Sequence, residues 1–218
     1  LTPRQFFLNV LACNSPKRKF LFGFNYNLNF KQSLESKLAV YLTNRENIQM
    51  TIQNSTLQDL DQIERLYTQA RDLQTHLKMV VWPSFSKEMI VQEIEEKKQF
   101  KLMIDGQIAC VWAIAFSDPQ IWKEKNTDAA IYIHRIATNR DFRGKNFVQK
   151  IVNWSQEYIR NSPINHIRLD TVGDNKGLIQ HYTNCGFQFL GLFKLHETQG
   201  LPEHYHNATV SLFEIALK

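Results

Sequence analysis

The chain has few cysteines and none at paired spacing. Cys13, Cys110 and Cys185 stand far apart, which excludes a disulfide framework and suits a reducing compartment. No apolar run approaches the ~20 residues that span a bilayer, so no membrane role is expected and the protein is expected in the cytoplasm. There is no internal repeat. A one-signed charge is also missing from most of the chain. The net charge is +5 over 218 residues, but residues 1–49 carry seven basic and two acidic side chains, leaving 19 of each sign in residues 50–218. A nucleic-acid face shows as basic excess on the folded domain itself, so no nucleic-acid partner is expected.

Residues 1–49 have no clear period and mix Phe, Asn and Lys with few turn signals. They are expected to be an N-terminal extension, either a disordered arm or a mis-called start upstream of Met50. Val10-Leu11-Ala12-Cys13 has the form of a lipidation box, but the apolar run before it is broken by Asn9 and is shorter than the ~7–15 residues of a signal core. Residues 50–218 are expected to form the domain.

What remains alternates strand and helix signals. Thr51–Asn54 reads as a strand, and Ser55 and Gln58 have capping-box spacing. Leu57, Leu60, Ile63, Leu66, Ala70, Leu73 and Leu77 recur every three or four residues, the pattern of an amphipathic helix. Met89, Ile90 and Ile94 predict a second helix, ending in EIEEKK, which is read as a solvated face. Phe100–Ile104 and Ile108–Phe116 flank Asp105-Gly106, a hairpin signal. Residues 117–128 read as a polar loop, and Ala130–Thr138 as the next strand. A helix over Gly144–Arg160, a strand over Ile164–Thr171 and a helix over Asp174–Cys185 follow, the last closed by Gly186. Phe187–Leu195 and Ala208–Leu217 are the final strands. The prediction is an α/β fold with a mixed central sheet of about seven strands, in the order β-α-α-β-β-β-α-β-α-β-β.

The turn Arg143-Gly144-Lys145-Asn146-Phe147-Val148 lies between a strand and a helix. Helix N-termini present unpaired N–H groups and about half a positive charge, so a basic, glycine-containing turn at this place is a seat for a pyrophosphate. Here the chain resembles the GCN5-related N-acetyltransferase (GNAT) family. That family's acetyl-CoA loop reads Q/R-x-x-G-x-G/A. Arg143 matches its first position, while Asn146 and Val148 replace the small residues. The family's later signature, an Asn seven residues before a Tyr and then Gly-Phe, is matched by Asn175, Tyr182, Gly186 and Phe187. The resemblance covers roughly Met50 to the C-terminus and implies the GNAT fold.

It further implies an acetyl-CoA co-substrate, no metal, and an N-acetyltransferase working by direct attack in a ternary complex. The acceptor would be a small-molecule amine or a protein N-terminus or lysine, and the protein a monomer or homodimer. By the same resemblance, the strands around Ile136, Ala137 and Thr138 part so that backbone N–H groups face the pantetheine; the alternative is an ordinary central strand. Arg143, Gly144, Lys145, Asn146, Phe147 and Val148 would hold the pyrophosphate. Asn is the non-glycine residue that best tolerates a left-handed backbone, so binding is expected to survive in weakened form. Asn175 would contact the pantetheine, or else simply cap its helix.

The chemistry sets further requirements. An alkyl amine of pKa ~10.4 is nucleophilic in only about one molecule in ~2,500 at neutral pH, so a base or water chain must take its proton and the leaving thiolate must gain one. Tyr182 is the candidate acid, against the alternative of a core tyrosine. His134 is the candidate base, against the alternative of a satisfied core histidine; strand alternation groups it with Tyr132, Ile136 and Thr138. Arg135 would point to the other face and pair with Asp170. His204 and His206, with Trp82, Phe85 and Trp122, are candidates for the acceptor pocket. A GNAT-fold module that binds acyl-CoA without turnover is the alternative function.

Overall fold

The computed structural model describes residues 49–217; the expectations for the N-terminal extension and its lipidation box fall on residues 1–48, outside that range. In chain order the elements are β1 (Met50–Asn54), α1 (Leu60–His76), α2 (Lys87–Glu95), β2 (Gln99–Ile104), β3 (Gln107–Ala115), a short α3 (Pro119–Trp122), β4 (Ala130–Thr138), α4 (Phe147–Tyr158), β5 (His166–Val172), α5 (Lys176–Asn184), β6 (Gln188–Lys194) and β7 (Thr209–Ala216). Apart from α3, this is the expected order.

Local signals explain most of the boundaries. The capping box falls one residue later than the spacing predicted: the Asp59 carboxylate, not Gln58, accepts from the Thr56 N–H at 2.7 Å. Asp59 also holds Lys101 of β2 at 2.6 Å, a tie Gln58 could not make. Ser86 caps α2 by accepting from the Met89 N–H. Asp105 and Gly106 both take left-handed φ, 48° and 78°, as a two-residue hairpin turn requires.

The seven strands form one sheet in the order β1-β2-β3-β4-β5-β7-β6. Every pairing is antiparallel except β4 with β5. On one face, Phe147, Val148, Ile151 and Val152 of α4 pack on Leu102, Trp112, Ile131, Ile133 and Leu169. On the other, Ile63, Leu66, Ile90 and Ile94 of α1 and α2 cover Ile108, Val111 and Ala137. Such side chains contribute about 1.5–3 kcal/mol each when fully buried, so both helical layers are fixed by the sheet.

Two features of the sheet position the site. First, the parallel ladder between β4 and β5 has only three pairs, Ala130↔His166, Ile131↔Ile167 and Tyr132↔Arg168. Beyond Tyr132 the two strands part, leaving that edge of β4 without a ladder partner. Second, β4 carries a bulge. Val111 pairs with Ala137 but Ala113 pairs with His134, so β4 has one residue more than β3 over this stretch. The bulge is taken up at Arg135, whose φ is +50°.

The bulge corrects two sequence expectations, because alternation restarts across it. Ile136 and Thr138 do not share a face with His134 and Tyr132; Ile136 packs with Ile131 and Ile133 on the α4 side, and Thr138 turns toward Cys110 of the same cluster. Arg135 does not reach Asp170. It pairs with Glu93 of α2 and lies over the Phe85 ring. Glu93, read as part of a solvated charge run, is therefore turned inward, while Glu95, Glu96 and Lys97 are exposed.

Residues 117–128, expected as a polar loop, bury Ile121 and Trp122. The reason is Arg168 of β5, which is 0% exposed. Its guanidinium bonds Asp128 at 2.6 Å and Glu214 at 2.7 Å and lies 4.8 Å from the Trp122 ring centroid. A buried charge must be paired, and here the pairing ties the segment down. Among the described residues no helix is long and apolar enough to cross a membrane.

Candidate active site

The parting of β4 and β5 opens a cleft of roughly 1200 Å³. Its two ends are built differently.

One end is the turn into α4. Gly144 has φ +79° with open space where a Cβ would point. Asn146 is the N-cap of α4 in the left-handed conformation, φ 51° and ψ 53°, and makes no side-chain cap bond. Its side-chain oxygen instead accepts from Cys185 Sγ at 3.4 Å. The first-turn N–H groups of α4 are thus left without a side-chain cap, beside Arg143 and Lys145, where an anion is favoured. Asn146 does what glycine would do for the backbone here. Phe147 and Val148 border the cleft but are 4% and 8% exposed, with their side chains in the core. They offer backbone, not side chain, to a ligand.

Along the walls, Ile136, Thr138, Asn175 and Tyr182 all border the cleft. Ala137 does not: its side chain is buried toward α1 and α2. Thr138 Oγ1 lies 3.7 Å from Cys110 Sγ, and burial pushes the Cys110 thiol up to about 12, so it is inert as a nucleophile. Asn175 caps α5, its side-chain oxygen accepting from the Leu178 N–H at 3.0 Å; its amide nitrogen is the part left for a ligand. The Tyr182 ring packs on Phe213 and Phe187. Burial pushes its phenol above the ordinary tyrosine range, which keeps it protonated at neutral pH.

The other end collects ionisable groups. His134 of β4 and Asp170 of β5 each lie two residues past the last ladder pair, so they face each other across the mouth of the gap. Asp118, from the segment before α3, completes the set. His134 Nε2 is 3.9 Å from Asp118 Oδ2, and one nitrogen or oxygen from each of the three lies within 4.8 Å of the others. The Tyr205 hydroxyl donates to Asp170 Oδ2 at 2.8 Å. Burial first, then the Asp170 charge, raises Asp118 to about 7. Burial raises Asp170 to about 6, the Tyr205 bond opposing it. Burial and Arg135 lower His134 to about 3, so His134 is neutral under ordinary conditions.

Trp82, Phe85 and His204 also border the cleft. Trp122 does not, being packed against Tyr132 and Arg168. His206 faces the Leu201 carbonyl instead. Sequence reasoning missed Asp118, Asp170 as a cleft residue, and Tyr205. A signal for Asp170 was present: a lone acid in the apolar strand run Ile-Arg-Leu-Asp-Thr-Val needs a partner or a task. Asp118, before Pro119, reads as an ordinary turn acid, and only the fold brings it to His134.

Comparison with known proteins bears on the family and the fold. Residues 64–187 match the model of the Acetyltransferase (GNAT) family. The chain is 28% identical over 106 residues to the uncharacterized N-acetyltransferase YesJ of Bacillus subtilis, a match covering 47% of this chain and 59% of that protein; it thus spans less than two thirds of that relative's length. A GNAT-family acetyltransferase of Listeria monocytogenes superposes with a TM-score of 0.62 at 22% identity, covering 77% of this chain and 95% of that one. YncA of Salmonella typhimurium, solved with its cofactor acetyl-CoA, superposes at 0.55 and 12% identity over 78% of this chain and 94% of that one.

Proposed function

The chain belongs to the acetyltransferase (GNAT) family, and from that premise we propose that it transfers the acetyl group of acetyl-CoA to a primary amine by direct attack in a ternary complex. Residues 50–218 form the catalytic domain in this reading. The observation that carries it is the parting of β4 and β5 beyond Tyr132, which gives a ligand access to backbone in the middle of a sheet. A structural neighbour solved with acetyl-CoA supports the identity of that ligand.

The first-turn N–H groups of α4 and the Arg143 and Lys145 side chains would hold the pyrophosphate. The backbone around Ile136–Thr138 and the amide nitrogen of Asn175 would hold the pantetheine arm. Bound there, acetyl-CoA supplies the activated acyl carbon. Fixing it beside the acceptor turns a bimolecular encounter into a local one. An N–H of β4, left without a partner where the strands part, is placed to steady the oxyanion that forms on attack. Tyr182, protonated at neutral pH, donates to the departing sulfur. His134, neutral and at the mouth of the gap, passes the amine proton onward.

Two measurements test this. Calorimetry should detect binding of acetyl-CoA, and thiol release should appear when a primary amine is added. Binding without release for any amine would favour an acyl-CoA-binding module. Absence of binding would remove the reading altogether.

A further inference from the structure

The described residues leave two partly buried acids in the cleft without a cation. Arg135 is engaged by Glu93, and Arg168 by Asp128 and Glu214. Among the described residues neither Asp118 nor Asp170 has a Lys or Arg partner. The Asp118 side chain is 12% exposed, yet its Oδ2 is shielded from solvent and has no hydrogen-bond partner. Leaving a shielded carboxylate oxygen unmet disfavours the fold. It is tolerated where a ligand completes it.

Resting on the acetyl-transfer reading above, we propose that Asp118 and Asp170 are the seat of the acceptor's ammonium group and the destination of its proton, so that the acceptor is an amine arriving as a cation with no carboxylate beside it. The geometry is specific. Asp170 and His134 flank the mouth of the gap into which the acyl carbon would be presented, and Asp118 closes the third side. Tyr205 fixes Asp170 through its hydroxyl bond.

The remaining groups around the pair are His204 beside Tyr205, Tyr182 on α5, and Arg135, held away by Glu93. None of them supplies a free positive charge. An acceptor carrying its own carboxylate would bring a third negative charge into the pocket. An aliphatic diamine or a lysine side chain would not.

The proton count closes. The entering ammonium gives one proton to the carboxylate pair and becomes a neutral amine. Its lone pair forms the carbon–nitrogen bond as the carbon–sulfur bond breaks, and that electron pair leaves on sulfur. The nitrogen sheds its surplus proton as the amide forms, and the thiolate gains one to become a thiol. The net products are amide, thiol and one proton, passed from the carboxylates to solvent. The shifted acidities of Asp118 and Asp170 place the pair near neutrality, where an acceptor of protons works best.

The test uses the full chain with acetyl-CoA and two probes of opposite character, 1,5-diaminopentane and L-glutamate. Thiol release is expected with the diamine and not with glutamate. Asp170→Asn and Asp118→Asn should each lower kcat/KM for the diamine by about 100-fold or more, and flatten the acidic limb of its pH profile. Acetyl-CoA affinity by calorimetry should stay within about twofold. Equal use of both probes overturns the inference, as do variants with unchanged kcat/KM and pH profile. So does activity lost to a chelator and restored by zinc. Acetyl-CoA binding with no release for either probe overturns it while leaving the cofactor reading in place. Lack of acetyl-CoA binding by the unmodified chain defeats both. The probe comparison needs no variant, so it stands even if a substitution impairs folding.

Discussion

Replacing Asp118 with Asn should make the fold more stable at high pH, and the structure sets the size of the effect. Asp118 rises from 3.8 to about 7 on folding. Between those values the folded chain holds a proton that the unfolded chain has released. Stability therefore falls as pH rises through this window, the reverse of a salt-bridged carboxylate. The full loss above neutrality is about 4 kcal/mol, and the side chain is only 12% exposed, so solvent screens little of it. Roughly 1.5 kcal/mol of that is already lost by about pH 5, leaving about 3 kcal/mol to be lost between about pH 5 and pH 8. Asp118→Asn removes this titration and also relieves the charge that Asp170 meets. Urea unfolding of the unmodified chain and the variant, followed by circular dichroism at about one-unit pH steps, gives the difference directly. The expected result is a gap that widens by about 2–3 kcal/mol toward high pH in the variant's favour. Curves that run parallel within about 0.5 kcal/mol would refute the reasoning, because Asp118 would then be no more burdened folded than unfolded.

Tyr182→Phe should lower kcat in a thiol-release assay by about 10²-fold or more, with acetyl-CoA affinity by calorimetry nearly unchanged; unaltered turnover would remove its acid role. Arg168→Ala should destabilise the fold by about 3–5 kcal/mol in urea unfolding, because Asp128 and Glu214 would lose their buried partner. Asn146→Gly should strengthen acetyl-CoA binding in a calorimetric titration, since with no side chain at that left-handed N-cap the backbone can approach a phosphate more closely.

The fold was legible because its signals are local. The helix period, the Asp-Gly turn and the strand patterns each report a periodicity set by the chain itself, though the helix period overran at both ends, Leu57 and Leu77 being exposed outside α1. The pyrophosphate turn was legible for the same reason, since Arg143 to Val148 are contiguous. What could not be read was the bulge at Arg135. Strand alternation assumes one residue per partner, and nothing in Ile-His-Arg-Ile-Ala announces that β4 takes an extra one. That single slip misassigned Ile136, separated Arg135 from its true partner Glu93, and hid Asp170 by giving it a false one. Asp118 was invisible for another reason. It lies 16 residues before His134 and 52 before Asp170, and only Arg168, buried beneath the intervening segment, draws it into place.

The left-handed step at Arg135 works as a phase shifter. Upstream and downstream halves of β4 obey the same two-residue rhythm but are out of step in residue number, the extra residue Arg135 being turned to Glu93 of α2. A chain shortened by that one residue would keep its strand, its ladder and nearly all its buried area. It would even keep the destinations of everything beyond His134, because Ile136 would then simply oppose Trp112, which faces the same layer; what it would lose is the cation that reaches Glu93 of α2.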